Sequence, residues 1–304
     1  MPDRVIQPRE GGTPGERNVG VLQQESPART TPSLHRSTTP SLRHFLDTVL
    51  ALSGVVIKEL YRRKDFYVLF VLTAVITLLM GSVNLFNDEK IVRYLKEICL
   101  LLIWISALVV AIGTAARQIP AERENRTIFP LLAKPVTRRQ VILGKFAGCW
   151  LACGIALVVF YLFFGIVSGS RAHQWSLLNY FQAFWLQWAM LGVVIALVLL
   201  GSVVFAAPSS TTTISFILVI GILLLGRHLN QVALQQSEPV RTVVYTLYFL
   251  IPHLEWYDVR SLISFDQDLI GWLDCALATL YAAAYTTVLL LATWLVFRRK
   301  SLTL

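Results

Sequence analysis

The stretch AMLGVVIALVLLGSVVFAA, residues 189–207, contains no charged residue. As a helix it would be about 28 Å long, close to the ~30 Å thickness of a bilayer's hydrocarbon core. Hydrocarbon offers no water to a peptide group, so a segment crossing it must satisfy its own backbone, and of single segments only a helix does so. Comparable runs recur along the chain, and this repetition restricts the fold more than any other feature. The spacing predicts six spans, at 66–86, 98–116, 141–168, 183–207, 211–229 and 270–297. Arg227 and His228 shorten the apolar part of the fifth. A further apolar segment, VVYTLYFLI at 243–251, is too short to cross and stops at Pro252. Tyr245, Tyr248, Trp256 and Tyr257 surround it, which suits a re-entrant or interfacial segment within an external region 230–268.

Composition agrees. Only 15% of the 304 residues are charged, against about 25% in a soluble domain. The net charge of +9 would suit a nucleic-acid partner if it formed one patch. Its distribution gives another reading. With six spans, both termini and the loop 117–140 share one side, which holds 20 of the 27 Lys and Arg residues, while the acidic residues divide evenly. The excess of Lys and Arg marks the cytoplasmic side. Both termini and the 117–140 loop are therefore expected in the cytoplasm, in a multi-pass protein of the inner membrane with no nucleic-acid partner.

Ahead of the spans, residues 1–42 are rich in Pro, Ser, Thr, Gly and Arg, a composition that cannot offset its ordering entropy and reads as a disordered cytoplasmic tail. They contain no apolar core of a signal peptide. Between 43 and 65, Phe45, Leu46, Val49, Leu50, Val56, Ile57, Leu60 and Tyr61 recur at helical spacing, with Asp47, Lys58, Glu59, Arg62 and Arg63 opposite. That pattern predicts an amphipathic helix lying in the cytoplasmic interface. The expected fold is thus all-α: an interfacial helix at 43–65, then a six-span domain at 66–304.

The spans are poor in chemistry. Apart from Arg227 and His228 near the end of the fifth, Lys145 and Asp274 are the charged residues within them and both are expected to snorkel to an interface, so the midplane relays of an ion-coupled carrier are missing. No HExxH or GxSxG occurs, and the Gly144–Lys145 pair lacks the rest of a phosphate-binding loop. His253, Glu255 and Asp258 offer either an external metal site or a solvated turn after Pro252. Cys99, Cys149, Cys153 and Cys275 read as small packing residues. Gly144, Gly148, Ala152 and Ala156 recur every fourth residue along the third span, and Cys275, Thr279, Ala283 and Thr287 do so on the last. Such stripes admit close helix packing, within one bundle or against a second copy.

The chemistry gathers instead in the loop AERENRTIFPLLAKPVTRRQVILGK, residues 121–145. Pro120 suits a first helical turn, and Glu122 leads Arg126 at i,i+4 spacing. Ile128, Phe129, Leu131 and Leu132 form an apolar tip, and Pro130 and Pro135 fix its exit before Arg138 and Arg139 mark the return to the membrane. A charged base under an apolar tip suits either docking in a partner's groove or anchoring in the interface.

The same residues resemble the loop after the second span in permease subunits of type 2 ABC transporters. That family's E-R-E-x-x-T-x-x-x-L-L-x-x-P-[VI]-x-R pattern, followed by Gly-Lys, is met by Glu122, Arg123, Glu124, Thr127, Leu131, Leu132, Pro135, Val136, Arg138, Gly144 and Lys145. Arg126 stands where many members carry Gly. The segments KELYRRKD, IPHLEWYDVR and FRRKSL also resemble family segments, extending the likeness over about 44–304. The resemblance implies a permease half that pairs with a second copy or a homologous permease and exports its substrate. Its coupling loop, including Phe129, would sit in a separate ATPase subunit that holds the ATP and magnesium. The chain itself would be neither enzyme nor cofactor carrier. A secondary carrier driven by an ion gradient and a non-transporting anchor or assembly factor are the rival classes.

On this reading the purified chain, free of partner subunits, neither binds nor hydrolyses ATP. Azido-ATP should label it no more than background, and stoichiometric labelling competed by ATP would overturn the assignment.

Overall fold

The computed structural model describes residues 42–62, 64–82, 89–124, 137–172, 177–205, 207–235, 237–238, 240–264 and 268–299. The tail at 1–41 and the loop tip at 125–136 lie outside them. Among the described residues the regular structure is helical, with no strand. In chain order the helices are α1 (Leu42–Tyr61), α2 (Lys64–Ser82), α3 (Glu89–Ala115), α4 (Pro120–Glu124), α5 (Arg138–Ala172), α6 (Leu177–Val204), α7 (Pro208–Gln235), α8 (Val240–Leu250), α9 (Arg260–Ser264) and α10 (Trp272–Arg299). A 3₁₀ turn at Leu254–Tyr257 precedes α9.

Five helical stretches are long and apolar enough to cross a membrane: Lys96–Glu122, Arg138–Ser168, Leu177–Val204, Pro208–Gly226 and Trp272–Arg299. The predicted first span falls on α2, whose apolar stretch, Tyr67–Leu78, is shorter. The described residues therefore give five such helices where the sequence predicts six spans. The outward surfaces are apolar, as lipid-facing helices require. On α10, Leu273, Leu277, Leu280, Val288, Leu291 and Leu295 are exposed, and only 11% of its apolar window is buried.

The amphipathic helix α1 packs lengthwise on the first half of α5 in parallel register. A Cβ added at Gly144 would stand 2.7 Å from Leu52 Cβ, and one at Gly148 would stand 2.7 Å from Val56 Cβ and 2.9 Å from Ser53 Cα. The glycines of the α5 stripe thus face α1 within the same chain. On the other side of α5, Trp150 and Trp188 stack with ring centroids 4.3 Å apart. Each indole N–H donates to the other's backbone carbonyl at 3.0 Å. Trp188 fills the notch at Gly154 and Trp150 the notch at Gly192, so a Trp-x-x-x-Gly repeat on two antiparallel helices forms a reciprocal clasp.

The segment 252–264 is not a fully solvated turn. Leu254, Tyr257, Leu262 and Ile263 are buried and His253 is 6% exposed, because this aromatic stretch wedges between helices. The His253 backbone N–H donates to Tyr281 Oη at 3.1 Å, and Tyr257 Oη donates to the Ala278 carbonyl at 2.6 Å. Burial pushes the His253 imidazole below its ordinary value. No cluster of metal-ligating side chains forms among the described residues. Asp258 instead holds Arg260 through two bonds of 2.6 and 2.8 Å. The four cysteines are buried.

The α1–α5 contact gives a test of sign. Replacing a helical Gly by Ala ordinarily stabilises by about 0.5–1 kcal/mol. Gly165, which has open space where a Cβ would go, should show that gain. Gly148→Ala should lose stability despite the same propensity gain, since overpacking against a neighbour costs about 1–3 kcal/mol. Thermal unfolding of both variants in detergent should move in opposite directions.

Candidate coupling site

The candidate site is the base of the 117–140 loop, where the end of α3, the short α4 and the start of α5 meet. A tight turn at 116–119 separates α3 from α4, and Pro120, lacking an N–H, opens α4 at the position where the missing donor is tolerated. This turn carries Gln118 and Glu122 back against α5.

There they meet Lys145. Its side chain is 4% exposed, and its ammonium donates to the Gln118 carbonyl at 2.6 Å and lies 2.7 Å from Glu122 Oε1. The sequence-based expectation that Lys145 snorkels is thus overturned. An ammonium withdrawn from water needs an anion and hydrogen-bond acceptors, and the loop base supplies both. The ion pair joins residues 23 positions apart and closes the loop at its root. Glu122, 28% exposed, keeps contact with solvent.

The second root begins at Thr137. Its N–H donates to Gln140 Oε1 at 2.7 Å, and the Gln140 N–H donates to Thr137 Oγ1 at 3.4 Å. This is a capping box, Thr-x-x-Gln, which satisfies donors left free at a helix start. It fixes where α5 begins, and its four-residue signature was legible in the sequence although the spacing analysis passed over it.

Arg138 follows. Expected from sequence to mark the return to the membrane, it reaches the end of α10, where its guanidinium donates to the Phe297 carbonyl at 2.7 Å and the Arg298 carbonyl at 3.2 Å and lies over the Phe297 ring. The last carbonyls of α10 lack partners within the helix and carry partial negative charge, which is why a cation settles there. Arg139 lies over Trp294, 4.2 Å from the ring centroid. The loop's exit is therefore stapled to the end of α10.

Of the residues singled out from sequence, Glu122 stands at the loop's first root, paired with Lys145, while the stripe residues Gly144, Gly148, Ala152 and Ala156 lie along α5, the two glycines against α1. Arg123 and Glu124 stand on α4, Glu124 exposed. Arg138 stands at the second root. Arg126, Thr127, Phe129, Leu131, Leu132 and Pro135 lie outside the described residues. Gln118, Thr137, Gln140 and Lys145 complete the base and were not among the predicted site residues.

Comparison with known families decides the class. The sequence matches the ABC-2 family transporter protein description over residues 32–302. The chain belongs to the ABC-2 transporter family. No curated protein matches it. Membership makes it the multi-pass membrane component of a transport system, and the match takes in the five apolar helices and both roots of the loop.

In this ABC-2 protein the buried pair should respond unequally to its two truncations. Glu122→Ala strands a buried ammonium, and breaking such a pair costs on the order of 3 kcal/mol. Lys145→Met removes the buried charge and lets Glu122 turn to solvent, at about 1 kcal/mol. The double variant should be more stable than Glu122→Ala alone, as a thermal-unfolding cycle on purified protein would show.

Proposed function

We propose that this chain is the permease subunit of an ATP-binding-cassette exporter and that the loop 117–140 couples it to a separate ATPase. The Glu122–Lys145 pair carries the reading. A loop that only anchored the chain in the interface would have no need of a buried ion pair at its root, whereas a loop that receives force must hand it to the bundle without yielding. Lys145, the capping box and Arg138 connect the two roots to α3, α5 and α10.

The distribution of Lys and Arg supports a cytoplasmic loop and cytoplasmic termini, and with them an inner-membrane location. Since the sequence holds no phosphate-cradling loop, the energy comes from ATP and magnesium bound by the partner. The exposed apolar face of α10 is suited to a second permease, a copy of this chain or a homologue, as well as to lipid. Export of an unidentified substrate would follow as the two halves tighten and part.

The apolar tip provides the test. Buried apolar anchors cost about 2 kcal/mol or more each on truncation, so Phe129→Ala with Leu132→Ala should weaken binding by roughly several hundredfold and abolish co-purification of the ATPase. The measurement is a pull-down normalised to membrane-inserted permease. Full retention by this double variant would make the loop an anchor and remove the reading.

A further inference from the structure

Where the start of α5 meets the end of α10, two arginines share one ring. The Arg139 guanidinium lies 4.2 Å from the centroid of Trp294, and that of Arg298 lies 5.8 Å from the same centroid. Trp294 and Arg298 are one turn apart on α10, so their contact follows from helical spacing. The contact of Arg139 does not. It needs the start of α5 fixed against α10, which the bonds from Arg138 to the Phe297 and Arg298 carbonyls accomplish. Two like charges are thereby held side by side.

A guanidinium resting on a ring uses its face and keeps the N–H groups of its edge for an acceptor. Among the described residues no carboxylate pairs with Arg139 or Arg298, and no acceptor takes a hydrogen bond from either side chain. Lys145, Arg138 and Arg260 differ, since the chain itself supplies their acceptors. Arg139 and Arg298 are both exposed.

Their depth and their neighbours narrow the missing acceptor. The helix α10 runs 28 residues from Trp272 to Arg299, roughly 42 Å, about the thickness of a bilayer with its headgroups. An upright helix of that length ends among the lipid phosphates. Leu291 and Leu295 are exposed below this end. Leu291, Leu295 and Arg298 follow one another at spacings of four and three, so an apolar strip leads along one face to the cations.

An anion is wanted at the arginines and hydrocarbon at the leucines, in that order along the helix. We propose that an anionic phospholipid is held at this corner, its phosphate between Arg139 and Arg298 and an acyl chain along Leu295 and Leu291. A zwitterionic lipid would cover the leucines but bring its own cation to the arginines. An acidic protein segment would meet the arginines and leave the leucines to other lipid. Basic sites between membrane helices recognise anionic headgroups on this principle. Because Arg138 and Arg139 open α5, the lipid braces the junction at which the loop returns to the bundle.

The test needs no ATPase and stands apart from the coupling reading. Full-length protein is reconstituted in vesicles of equal phosphatidylglycerol and phosphatidylcholine and re-extracted in mild detergent, and its retained lipids are counted by native mass spectrometry. Wild type should retain phosphatidylglycerol over phosphatidylcholine roughly tenfold. Arg139→Gln/Arg298→Gln should bring the ratio to parity. Lys58→Gln/Arg62→Gln, which removes as many exposed charges from α1, should leave it unchanged. Trp294→Leu keeps both charges but removes the ring that gathers them, and should lower the preference to about threefold. If that variant does not fold, the two arginine and lysine variants decide. Inorganic phosphate added at matched ionic strength should not displace the lipid, since it offers nothing to Leu291 and Leu295. Parity in wild type, a preference that survives Arg139→Gln/Arg298→Gln, an equal loss in Lys58→Gln/Arg62→Gln, or displacement by phosphate alone would each overturn the proposal.

Discussion

Lipid tails are as apolar as leucine, so a bilayer gives helices no hydrophobic reason to adhere, and a membrane bundle must hold together by close approach and by polar contacts. Every principal contact in this protein answers that constraint. The glycines at 144 and 148 let α1 lie almost backbone to backbone on α5. The Trp150–Trp188 clasp does the reverse, using the largest side chains, but each seats itself in a glycine notch and spends its N–H on the opposite helix. Gln182 extends the pattern, donating to the Ile270 carbonyl and accepting from its N–H, so that the approach to α10 is tied to α6.

At the 117–140 loop the same constraint yields a different solution, because the groups there are charged. A lysine facing lipid would be costly, and a lysine snorkelling to water would hold nothing. Lys145 is buried and satisfied by backbone and carboxylate together, an arrangement whose worth lies in specificity as much as in stability. It permits one path for the turn at 116–119. Arg138 applies the same logic to α10, where helix-end carbonyls supply the acceptors.

How much of this was legible from sequence follows from the range of each interaction. The apolar runs located the long helices, since hydrocarbon thickness imposes a length that a single segment must meet. The α5 stripe was visible because its period is local, but its partner was not, since nothing in GKFAGCWLACGIA names Leu52 or Val56 as the neighbour. The Thr137–Gln140 box could have been read within four residues. Lys145 could not, because its partners lie 23 and 27 positions upstream and reach it only after a turn whose direction no pattern announces. The 252–264 segment misled for a related reason: His, Glu and Asp suggested solvent or metal, while Leu254 and Tyr257, which bury it, carry no helical or strand period across so short a stretch.

Under the proposed function these contacts also limit how the protein moves. A push on the loop reaches Glu122 and Arg138 first, and these are tied to α5 and to the end of α10. α5 meets α1 through glycine, α6 through the Trp clasp, and the turn after α3 together with α4 through Lys145. A core so densely joined resists internal sliding, since separating any pair breaks backbone-level contacts that have no replacement in lipid. The surfaces free to change partner are the exposed apolar faces, above all α10, whose loss of one apolar neighbour for another costs little. The permease half would then turn as a rigid body, with the energy delivered at the loop spent at its outer faces, where a second permease and lipid compete for the same leucines.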